Sequence, residues 1–112
     1  MNTRFDLSGR TVIITGGGKG IGKVYAEEFA KAGARVVAAD IDGAAACAIA
    51  DALYAQGLQA LGLATDIASE DATQAMAQAA VDRFGAIDVL INNASLMSVL
   101  PRRSWLEIPV EE

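Results

Sequence analysis

The stretch Thr15-Gly16-Gly17-Gly18-Lys19-Gly20-Ile21-Gly22 constrains this chain more than any other. It follows the apolar run Thr11-Val12-Ile13-Ile14 and leads into an amphipathic segment, so it reads as strand, tight turn and helix. Glycines crowded into one turn lose much backbone entropy on folding, which a plain connection does not require. They permit positive φ and leave no Cβ between the backbone and a bound group. The helix that follows would offer unpaired N–H groups and the positive end of its dipole to an anion such as a pyrophosphate. Asp40 ends the next apolar run, Arg35-Val36-Val37-Ala38-Ala39, at a separation that suits a ribose-binding acid in a βαβ unit.

Strand-like and helix-like patterns alternate along the rest of the chain, which predicts an α/β fold with a parallel sheet. Strands are expected at residues 11–15, 35–39, 59–64 and 87–91. The first helix is expected over residues 20–32, with Ile21, Val24, Tyr25, Phe29 and Ala32 as its apolar stripe, Glu27 and Lys31 as an i,i+4 pair, and Gly33 as its stop. A second helix is expected over residues 43–56, with Ile49 and Leu53 inward and Gly57 after it. Ser69 reads as the N-cap of a third, with Glu70 and Asp71 in its first turn, an inner face of Ala72, Met76, Ala79, Ala80 and Phe84, and Gly85 as its end. After Asn93 the pattern decays into a loop, and Pro109-Val110-Glu111-Glu112 reads as the opening of another helix.

Composition removes several function classes. The 112 residues suit one domain, and 53% hydrophobic with 21% charged residues predicts a packed globule. A net charge of −5 without basic clusters argues against nucleic-acid binding. No histidine is present, so a classical zinc site is not expected. The single cysteine, Cys47, excludes an internal disulfide and is expected to sit buried or half-buried on the second helix. Residues 1–6 hold no apolar signal region and no run approaches membrane-spanning length, so a cytoplasmic protein with no membrane partner is expected.

The glycine spacing reads T-G-x-x-x-G-x-G. Together with Asp40, Asp66 and Asn92-Asn93-Ala94, each at an expected strand end, it resembles a classical short-chain dehydrogenase/reductase from about Leu7 to Glu112. The resemblance implies a Rossmann-like doubly wound sheet of order 3-2-1-4, truncated after its fourth strand, so that residues 1–112 form one partial dinucleotide-binding domain. Ligands in such sheets bind outside the carboxyl ends of the strands, where the order reverses.

By this resemblance the cofactor is held by Gly16, Gly18, Lys19, Gly20, Ile21, Gly22, Asp40, Ile41, Asp66, Ile67, Asn93 and Ala94. Asp66 with Ile67 would meet the adenine; a plain turn role for Asp66 is the alternative. Asn92-Asn93-Ala94 would brace the sheet beside the cofactor ribose, although Ser95 stands where the family usually has Gly. Asp40 favours NAD, because a carboxylate accepts from both ribose hydroxyls and repels a 2′-phosphate. Lys19 points the other way, since a basic residue there often accompanies NADP in the family. Asp40 acts on the ribose edge directly, whereas Lys19 can swing into solvent, so NAD is favoured over NADP. Met97 and Trp105 would border the substrate cleft without a catalytic role.

The family's chemistry needs a Ser and a Tyr-x-x-x-Lys pair downstream. Here Tyr25 and Tyr54 are followed four residues later by Phe29 and Leu58, so no catalytic residue is assigned. The expected lineage is an NAD(H)-dependent oxidoreductase of small alcohols or ketones, inactive as this chain alone; a homo-oligomer is expected only for a full-length form. The alternatives are a non-catalytic nucleotide-binding fragment and, more distantly, a methyltransferase.

Overall fold

All five residues of Thr11–Thr15 (β1) are buried, which requires cover on both faces of the strand. Their side chains alternate between two apolar layers. Val12 and Ile14 join one layer; Ile13 joins the other. The computed structural model describes residues 6–93. After β1 come α1 (Gly20–Lys31), β2 (Arg35–Asp40), α2 (Gly43–Ala55), β3 (Ala60–Ala64), α3 (Glu70–Phe84) and β4 (Val89–Asn92). The four strands form a parallel sheet in the order β3-β2-β1-β4, as the resemblance implied. Helices α1 and α2 cover one face through Ala26, Ala30, Ala46, Ile49, Ala50 and Leu53. Helix α3 covers the other through Met76, Ala80 and Phe84.

Helix ends follow local chemistry. Asp42 caps α2 by accepting from the Ala45 N–H at 3.1 Å, and Ser69 caps α3 by accepting from the Ala72 N–H at 3.1 Å. Gly85 ends α3 in the left-handed conformation, and its N–H donates to the Val81 carbonyl at 2.7 Å. The Arg35 guanidinium donates to the Phe84 carbonyl at 2.9 Å, a cation at the negative end of α3.

The stripe expected on α1 is wrong. Its buried residues are Gly22, Ala26 and Ala30, whereas Ile21 is 64% and Val24 53% exposed. Tyr25 is exposed too, and only Phe29 and Ala32 are partly covered. The helix lies so close to the end of β1 that a Cβ on Gly22 would collide with the Gly16 carbonyl oxygen. Small residues are therefore selected on the inner face, and a reading that weighs hydrophobic size picks the adjacent face. The pair expected between Glu27 and Lys31 is replaced by Lys31 with Glu28 at 4.0 Å. Cys47 is exposed, not buried, because the inner face of α2 runs through Ala46, Ile49, Ala50 and Leu53.

The fourth strand starts later than expected, at Val89, and Ile87 lies outside it. Asp88 explains the shift. Its N–H donates to the Thr11 carbonyl at 2.9 Å, and its carboxylate accepts from the Thr11 N–H at 2.7 Å, so a side chain closes the end of the ladder. Strand pairing then runs from Val12 with Val89 to Thr15 with Asn92.

Candidate functional site

Thr15, Asp40 and Asn92 are the last residues of β1, β2 and β4, and Asp66 follows β3 by two residues. Parallel pairing brings these four positions to one edge of the sheet. The order reverses between β1 and β4, which makes this edge the expected ligand crevice of a doubly wound sheet.

The glycine turn is held there from both sides. On the β2 side, the Gly17 N–H donates to the Ala39 carbonyl at 3.3 Å and the Gly18 N–H to the Asp40 carboxylate at 3.1 Å. On the β4 side, the Asn93 amide donates to the Gly16 carbonyl at 3.4 Å, and the Thr15 hydroxyl donates to the Asn92 side-chain oxygen at 3.0 Å. Gly20 sits at φ +56°, a conformation that L side chains rarely adopt, and among the described residues a Cβ there would meet nothing within 4 Å beyond its own chain neighbours and helix. Gly22 is under the opposite constraint, since its Cβ would lie 2.7 Å from the Asn93 amide nitrogen besides striking Gly16.

Helix α1 begins differently from the other two helices among the described residues. Lys19, at its N-cap, makes no side-chain cap bond, and no acid lies in the first turn. Helices α2 and α3 are both capped by side chains. The first N–H groups of α1 are thus not engaged by a capping side chain, and they carry the positive end of the dipole. A cofactor's pyrophosphate is the kind of group such an end accepts.

Asp40 is 8% exposed and fixed at both oxygens. One accepts from the Gly18 N–H and the other from the Asp42 N–H at 2.9 Å. A carboxylate offers about four lone-pair sites, so two remain for hydroxyl donors. Lys19 leans toward the next loop, where its ammonium lies 2.8 Å from the Asp42 carboxylate. That hydrogen bond, with the Ala45 N–H adding to it, holds the Asp42 carboxyl below its ordinary pKa. Asp42 in turn raises Lys19 above the usual lysine value, first by the same bond and then by its charge.

Asp66 is exposed and serves its own turn, with its carboxylate accepting from the Ala68 N–H at 2.9 Å and its carbonyl accepting from the Ser69 N–H at 2.9 Å. Ile67 is half-buried beside it, and Ile41 is 71% exposed at the end of β2. Gly18 is confined by α2, since a Cβ there would lie 2.8 Å from the Ala46 nitrogen. The edge therefore gathers Gly16, Gly18, Lys19, Gly20, Gly22, Asp40 and Asn93 around one turn. Ala94 lies outside the described residues, as do Ser95, Met97, Trp105 and the helix opening expected at Pro109. One participant was missed from the sequence, Asp42. An acid directly before the alanine-rich start of α2 was the available signal for Asp42.

A family model described as short chain dehydrogenase matches residues 10–108. The chain belongs to this family. An uncharacterized oxidoreductase of Thermotoga maritima is 41% identical over 106 residues, covering 95% of this chain and 40% of that relative. A short chain dehydrogenase/reductase from Burkholderia phymatum, solved in complex with NAD, superimposes with a TM-score of 0.73 at 37% identity, over 77% of this chain and 31% of the other. A 7 alpha-hydroxysteroid dehydrogenase complexed with NADH and 7-oxo glycochenodeoxycholic acid gives 0.76 at 42% identity, over 80% and 36%. The chain thus spans well under half the length of these relatives. It shares their Rossmann fold, and both of these solved relatives hold a nicotinamide dinucleotide, NAD in one and NADH in the other.

Proposed function

We propose that residues 1–112 form a partial dinucleotide-binding domain that holds the adenosine and pyrophosphate portion of NAD in an oxidoreductase of small alcohols or ketones. One observation carries this reading. The uncapped start of α1 and the Asp40 carboxylate, joined through Gly18, stand together at the switch-point edge. The amides of Gly20, Ile21 and Gly22 would face the pyrophosphate. Asp40 would accept from the adenosine ribose, Asp66 and Ile67 would flank the adenine, and Asn93 with Ala94 would border the second ribose. When bound, the nicotinamide supplies hydride-transfer chemistry, and the protein's part is to bind and orient it. NAD is preferred over NADP because a 2′-phosphate would bring negative charge against Asp40. The exposed, unpaired Cys47 suits a reducing, cytoplasmic setting.

The second reading, a nucleotide-binding fragment without catalysis, is favoured for this chain on its own by one observation. Neither Tyr25 nor Tyr54 has a lysine four residues on. The pure 112-residue chain is expected to show background rates when NADH absorbance is followed across a panel of alcohols and ketones. Turnover well above background would refute this.

Calorimetry with NAD and NADP tests the cofactor assignment. The unmodified chain should bind NAD more tightly, and Asp40→Ala should weaken NAD by about tenfold or more through lost charge-assisted bonds. The same change leaves the Gly18 and Asp42 N–H groups without their acceptor, so the unfolding midpoint should fall as well, by about 1–3 kcal/mol of stability. Tighter NADP than NAD binding by the unmodified chain would overturn the assignment.

A further inference from the structure

Asp42 lies two residues beyond the expected ribose-binding position, Asp40, and engages three partners at once. Its N–H donates to Asp40, one carboxylate oxygen caps α2 at Ala45, and the other holds Lys19 at 2.8 Å. Asp40 accepts from Gly18, and Gly18 precedes Lys19 in the chain, so the contacts close a ring through Gly18, Asp40, Asp42 and Lys19. With the helix cap fixing its orientation, Asp42 sets where the ammonium rests. We infer that Asp42 is a specificity-determining residue, which by tethering Lys19 makes the turn's only cation unavailable to a 2′-phosphate on the adenosine ribose. The inference rests on the dinucleotide reading above.

The charge pattern carries the argument. Asp40, Asp42 and Lys19 together leave one net negative charge at the end of β2. A neutral 2′-hydroxyl needs only the lone pairs of Asp40 and leaves the pair intact. A 2′-phosphate brings a near-dianion and must draw Lys19 away, which strips Asp42 of its partner beside the new charge. Lys19 therefore does not favour the phosphate that its sequence position suggests. Its ion pair is exposed, with side chains 65% and 38% accessible, so it adds little to folding, and the discrimination it gives is modest and weakens as salt rises.

The test compares ADP-ribose with 2′-phospho-ADP-ribose by calorimetry on the 112-residue chain at low salt. Asp42→Asn removes the charge and keeps a cap acceptor, and Asp42→Ser does the same with a second capping residue should the first variant fold poorly. The ratio of Kd for the phosphorylated to the plain probe should fall by about fivefold or more in either variant. Adding Lys19→Met to Asp42→Asn should reverse that fall, because the freed ammonium is the group that receives the phosphate. A ratio unchanged in both single variants, or a fall that survives Lys19→Met, overturns the role of Asp42. An unmodified chain that binds neither probe overturns the dinucleotide reading, and this one with it.

Discussion

Gly22→Val is expected to unfold the chain, whereas Gly20→Val is expected to leave it folded and unable to bind a dinucleotide. The two glycines are two residues apart and restrict substitution for different reasons. A Cβ at Gly22 collides with the Gly16 carbonyl and approaches the Asn93 amide, and both are parts of the turn's own bracing. Backbone atoms cannot swing aside as the end of a flexible side chain can. Valine there must lift α1 off the sheet and uncover Ala26 and Ala30, both almost wholly buried. The loss should be at least about 3 kcal/mol, a large share of a small domain's stability. At Gly20 no other part of the described chain stands near the Cβ position, and the strain of a branched residue at φ +56° is about 1–2 kcal/mol. The added side chain would instead occupy the space before the first amides of α1. Far-UV dichroism with thermal melting separates the two outcomes, and a Gly22→Val chain as stable as the parent would refute the close-approach argument.

Self-association is the second large effect. Strand β4 is an edge of the sheet among the described residues, and Leu90 on it is 56% exposed. Leu90 pairs with Ile13, which belongs to the α3-side layer, so an apolar side chain is presented where that layer has no further cover among the described residues. Val89 and Ile91 are only partly buried on the opposite face. Unpaired N–H and C=O groups beside apolar side chains form a template for another chain's strand. Sedimentation velocity at about micromolar concentration should therefore show species larger than the monomer. Leu90→Lys places a charge on that edge and should move the distribution toward monomer. A parent chain that stays monomeric throughout would show that the edge is already protected.

The strands and helix ends were legible because their signals are local. Gly33, Gly57 and Gly85 all have positive φ just past the helices they end, and Ser69 caps α3 as its spacing suggested. The topology followed from the order of motifs, since glycine turn, Asp40 and Asn92 mark strand ends in a family with one known arrangement. The inner face of α1 was not legible. Its burial is set by how near the helix approaches β1, a tertiary quantity that small residues permit but do not announce. The start of β4 was obscured for a similar reason, because Asp88 supplies through its side chain a partner for Thr11 that periodicity alone would place in the backbone. In the site, the turn and Asp40 were recognised, while the Lys19–Asp42 contact joins two loops whose meeting depends on how β1 and β2 are paired.

Amide hydrogen exchange with and without ADP-ribose tests the central claim most directly, because it reads the N–H groups on which the account depends. Bound ligand should slow exchange across residues 16–22 and 40–42, with little change in α3 or at the start of β4. Binding that leaves residues 16–22 exchanging as fast as in the free chain would contradict the account.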